Sequence, residues 1–71
     1  MEKGKMPEPV KTDVRIKVTL HWYATEEEAR IAGEVFEGQA HERALQGYDF
    51  GWWRPGFQKQ DANGLWLAVE P

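Results

Sequence analysis

The groups in this 71-residue chain that could do acid-base work are His21, His41 and the carboxylates. A general base needs a positioned partner and a site that excludes water. His21 falls on the polar side of an alternating stretch, and His41 stands beside Glu42. The hydroxyls belong to Thr12, Thr19, Thr25, Tyr23 and Tyr48; there is no Ser and no Cys. Without Cys there is no thiol nucleophile and no thiolate zinc site. Two His twenty residues apart do not make a metal site. The seven glycines form neither a G-x-G-x-x-G nor a P-loop pattern that would cradle a phosphate. A domain of this length also has little volume for a pocket of ~300 Å³. The chain therefore reads as non-catalytic, with no metal and no cofactor.

The chemistry that remains is that of surfaces. Four Trp, three Phe and two Tyr are abundant for so short a chain, and each can bury roughly 150–250 Å². Small domains bury a modest share of their surface, so with no disulfide the stability must come from packing or association.

The elements that position these rings can be read in order. Residues 1–12 (MEKGKMPEPVKT) have the composition of a flexible arm, with a single domain over 13–71. Residues 14–23 alternate strictly: Val14, Ile16, Val18, Leu20 and Trp22 on one side, Arg15, Lys17, Thr19, His21 and Tyr23 on the other. Period two with β-branched residues predicts a strand with its first set buried. Thr25-Glu26-Glu27-Glu28 is a capping box opening a helix to about Gln46, stopped by Gly47. Its Ala29, Ala32, Phe36, Ala40 and Ala44 form a small-residue stripe, and Gly33 within it suits a close approach to a sheet. Residues 48–53 predict a second strand, with Phe57–Gln60 resuming it after Pro55. Asp61-Ala62-Asn63-Gly64 predicts a turn, and 65–69 the last strand. The expected fold is α+β: a single β-α-β-β domain, a three-stranded sheet with one helix packed on one face.

In that arrangement the second sheet face stays open. It would carry Arg15, Lys17, Thr19, His21 and Tyr23, with Trp53 and Trp66. Large exposed apolar patches tend to mark interaction sites, and Trp, Tyr and Arg are favoured anchors. Tyr23, Trp53 and Trp66 are thus candidate partner-binding residues, and the same face is compatible with a homodimer. The predicted helix holds six Glu (26, 27, 28, 34, 37 and 42) against Arg30 and Arg43. Glu27, Glu34 and Glu37 share much of its solvent side, a docking surface for a basic partner such as a nucleic-acid-binding groove. The alternative is a single-stranded nucleic-acid binder that stacks bases on the sheet-face rings, with Arg15, Lys17 and His21 beside them. A net charge of −3 counts against it.

Asn63-Gly64-Leu65-Trp66-Leu67-Ala68 resembles the last hairpin of small phage anti-CRISPR proteins that act on type I-F surveillance complexes. Ala29-Arg30-Ile31-Ala32 is a looser match to a helical stretch in the same group, and the element order is similar. The match spans about ten residues; the 1–12 segment and the aromatic-rich 48–53 segment depart from it. The resemblance implies a non-catalytic, stoichiometric inhibitor from a phage or mobile element that binds a CRISPR surveillance complex and blocks its contact with DNA. Such a complex lines its DNA channel with Lys and Arg.

No apolar stretch approaches the ~20 residues of a membrane span, and the first ten residues lack the apolar core of a signal peptide. The expected setting is cytoplasmic, in the host cell if the chain is phage-encoded.

Overall fold

The computed structural model describes residues 6–71. The first five residues of the expected arm lie outside the described residues. The element order is β1 (Lys11–Val14), β2 (Thr19–Tyr23), α1 (Glu26–Leu45), β3 (Gly56–Gln60) and β4 (Trp66–Glu70). The strands form one antiparallel sheet in the order β1-β2-β4-β3. The fold is α+β with one helix, as the patterning predicts, but the sheet has four strands rather than three.

The extra strand arises because the alternating stretch 14–23 is not one strand. The chain reverses over residues 15–18, where the Arg15 amide donates to the Val18 carbonyl at 2.8 Å. Val14 then pairs with Thr19 and Lys11 with Trp22. No Gly, Pro or Asn marks this reversal, so nothing in the local pattern announced it. The correction extends upstream: Lys11 and Thr12, read as arm, belong to β1, and Met6 packs against the core beneath the helix.

The expected strand at 48–53 is not formed. Asp49 Oδ1 accepts from the Gly51 amide at 2.8 Å, and Gly51 has φ 72°. An Asx turn and a positive φ break an extended run. Strand pairing begins only at Gly56, after Pro55.

Helix α1 is capped at the residues its sequence predicts, but the Glu28 carboxylate meets the Thr25 hydroxyl where a full capping box would use the Thr25 amide. The Thr25 hydroxyl accepts from the Glu28 amide at 3.3 Å and donates to the Glu28 carboxylate at 3.1 Å. At the other end the Tyr48 amide donates to the Arg43 carbonyl and the Gly47 amide to the Ala44 carbonyl, both at 2.9 Å. This is the Schellman pair that closes a helix. The β3–β4 turn is equally local: Asp61 Oδ1 accepts from the amides of Asn63 and Leu65, each at 2.9 Å.

The helix covers β3 and β4, touches β2 more lightly and does not reach β1. Beneath it Tyr23, Ala29, Ala32, Phe36 and Ala68 form one core, flanked by Met6, Phe57 and Trp66. On the opposite sheet face Val18, Leu20 and Val69 form a second core with Trp22 and Leu67, covered by Phe50 and Trp53. The helix therefore takes the face expected to be open, and the 48–53 segment covers the face expected to carry the helix.

Candidate functional site

This exchange of faces relocates most of the candidate site residues. Tyr23 is 1% exposed, enclosed in the helix-side core. Burial raises its phenol above the usual value near 10, and the carboxylates of Glu70 and then Glu28 add to that rise. Trp66 is half-buried on the same side, its ring 6.2 Å from that of Phe57. Trp53 is half-buried on the other side, over the second core. The three rings thus do not share an open face, because α1 occupies one side of the sheet and residues 50–53 part of the other.

His21 is likewise engaged. Its ring lies 5.5 Å from that of Phe36 and is stacked on it. Its Nε2 donates to Glu70 Oε1 at 2.6 Å, and Nδ1 lies 3.1 Å from Thr12 Oγ1. With Nε2 carrying the proton, Nδ1 of a neutral ring accepts from the Thr12 hydroxyl. The hydroxyl, imidazole and carboxylate tie β1, β2 and β4 together across the sheet. A stacking platform built from Tyr23, Trp66 and His21 is therefore not available. Among the described residues no three His, Asp or Glu side chains gather as metal ligands.

The acidic residues remain where the helical spacing puts them. Glu27, Glu34 and Glu37 are all exposed on α1. Seven residues separate Glu27 from Glu34, which is nearly two turns, so they are aligned along the axis. Ile31 lies between them, 45% exposed, and with Glu26, Glu27, Arg30 and Glu34 it lines a shallow groove on the outer surface. Arg30 is committed to Glu26 at 2.9 Å. None of Glu27, Glu34 and Glu37 is ion-paired among the described residues.

Arg15 and Lys17 lie on the β1–β2 reversal, exposed. Arg15 contacts Asp13 at 2.8 Å. Two exposed apolar residues that the alternation assigned to the core, Val14 and Ile16, are beside them. The strand expected over 48–53 would turn Tyr48, Phe50 and Trp52 inward; with that strand not formed, Trp52 and Tyr48 are exposed. Trp52 stands at the tip of the Asx turn, and the Asp49–Gly51 spacing was the signal that could have placed it there.

No helix among the described residues is long and apolar enough to cross a membrane. Comparison with family models, with curated proteins and with solved structures finds no match to this chain.

Proposed function

We propose that this chain is a non-catalytic protein-binding module whose docking surface for a basic partner is the outer face of α1. The observation that carries this reading is the alignment of Glu27 and Glu34 on either side of the partly exposed Ile31, both exposed and without ion-pair partners among the described residues, with Glu37 exposed at the helix edge beside Gly56 of β3. Unneutralised carboxylates on a rigid helix attract a Lys- and Arg-rich surface and set its approach. Ile31 supplies apolar contact within the same surface.

The resemblance at Asn63–Ala68 supports a narrower form of this proposal. In it the partner is a CRISPR surveillance complex, and the carboxylates occupy a basic surface that otherwise holds DNA phosphates.

The test is capture of partners from nuclease-treated host lysate with the tagged chain and with a Glu27→Lys/Glu34→Lys/Glu37→Lys variant. A stoichiometric protein partner held by the parent and lost by the folded variant is the expected result. Equal capture by both removes the acidic-helix surface. For the narrower form, a purified type I-F complex is titrated with each chain while its DNA binding is followed. Undiminished DNA binding at saturating parent chain overturns it.

A further inference from the structure

The side of the sheet away from α1 carries a second surface of opposite character. At the β1–β2 reversal Ile16 is 100% exposed and Val14 75%, and on the segment between α1 and β3 Trp52 is 79% exposed. Isolated exposed apolar residues mean little, but these are contiguous. Ile16, Lys17, Phe50, Gly51, Trp52 and Trp53 line a cleft of about 220 Å³, and it continues over Val14 and Arg15. The Trp52 and Trp53 rings are stacked, with centroids 4.2 Å apart. Lys17 reaches across to the loop: its Nζ lies 3.9 Å from where a Cβ on Gly51 would stand.

Three properties of this cleft select an occupant. Its aromatic part, about 220 Å³, has room for one bulky side chain, and the continuation over Val14 and Arg15, about 560 Å³, has room for the chain that flanks it. Its walls are two indoles, a phenyl ring and an isoleucine, the composition of an interface anchor site. Among the described residues its lining has two cations, Arg15 and Lys17, and no carboxylate. Asp13, the carboxylate paired with Arg15, is outside that lining. With Arg15 paired to Asp13, Lys17 is the cation at this apolar cleft that has no ion-pair partner among the described residues.

We infer that the Ile16–Trp52 cleft binds an acidic peptide segment of a partner protein, with one large apolar side chain between Trp52 and Ile16 and flanking carboxylates on Lys17 and Arg15. A second copy of this chain fits less well, because it would bring the same two cations against themselves. A nucleic acid strand fits less well, because it needs a run of phosphate contacts and this cleft has two cations, one of them held by Asp13. The surface is separate from the acidic helix face, so the inference stands or falls apart from the function proposed above.

The test is selection of random 12-residue peptides displayed on phage against the full chain, followed by titration of a selected synthetic peptide by tryptophan fluorescence. Enriched peptides are expected to combine Trp, Phe or Leu with several Asp or Glu. Trp52→Ala and Ile16→Ala are each expected to weaken the synthetic peptide at least tenfold. Lys17→Glu, a surface change that leaves the aromatic walls intact, is expected to weaken it similarly. The Glu27→Lys/Glu34→Lys/Glu37→Lys variant should bind it as the parent does. Failure to enrich, enrichment of neutral or basic peptides, or full binding to both Trp52→Ala and Lys17→Glu overturns the inference. Displacement of the peptide by a twenty-residue oligodeoxythymidine overturns it in favour of nucleic acid.

Discussion

Gly33 on the helix and Phe57 on β3 approach so closely that a Cβ built on Gly33 would lie 2.4 Å from the Phe57 amide nitrogen. That atom is backbone, and it cannot turn aside. The contact holds α1 close to the sheet, with Ala29, Ala32 and Phe36 on the same buried surface.

Gly33→Ala therefore sets two effects against each other. Alanine gains about 1 kcal/mol of helix propensity. The clash forces the helix off the sheet, and overpacking of this kind costs about 1–3 kcal/mol. With backbone as the obstacle the clash prevails, and urea unfolding should show a lower midpoint than the parent.

Gly38 provides the opposite case on the same helix. Among the described residues nothing beyond the helix's own backbone and its chain neighbours lies within 4 Å of a Cβ built there, and the residue is exposed. Gly38→Ala should raise stability by about 1 kcal/mol, seen as a higher thermal midpoint. A lower midpoint would mean that the helix does not continue through this position as described.

Leu20 and Ile16 occupy equivalent places in the sequence alternation and opposite environments in the fold. Leu20 is buried in the second core and Ile16 is fully exposed. Leu20→Ala should cost about 2–5 kcal/mol, whereas Ile16→Ala should stay within about 0.5 kcal/mol. Chemical denaturation of the pair checks the break between β1 and β2 directly. Similar losses at both positions would restore a single strand over 14–23.

Tyr23 links stability to alkaline pH. Its phenol is raised in the folded chain by burial, with Glu70 and Glu28 adding to the effect. Above pH 10 the unfolded chain loses this proton before the folded chain does. Stability attributable to Tyr23 is therefore complete below pH 10 and falls as the pH rises through the higher folded value. Tyr23→Phe should unfold less steeply with pH above 10, as followed by tryptophan fluorescence. An identical alkaline profile would place the ring outside the core.

Features whose causes are local were legible in the residues. The N-cap at Thr25, the stop at Gly47 and the turn at Asp61–Gly64 rest on hydrogen bonds within a few residues of each other, and all three appear. The acidic outer side of α1 was legible for the same reason, since helical spacing alone places Glu27 and Glu34. The aromatic site was not. Its location depended on which sheet face the helix chose, and Tyr23, Trp53 and Trp66 moved with that choice.

By itself, the sequence determined one capped helix, a closing hairpin, and the division of residues 19–23 and 66–70 into two alternating sets. Tertiary structure alone decided which set meets the helix. Alternation records that two faces differ, but not what covers each. Here both sets are apolar enough to be covered: Leu20, Trp22, Leu67 and Val69 on one face, Tyr23, Trp66 and Ala68 on the other. The small residues Ala29, Ala32 and Gly33 give α1 a shallow surface that seats over Ala68 between flat rings. Phe50 and Trp53, carried by a loop, fill over the branched side chains opposite. The reversal at 15–18 belongs to the same tertiary decision, for it lays β1 against β2 and leaves Ile16 and Trp52 side by side in solvent.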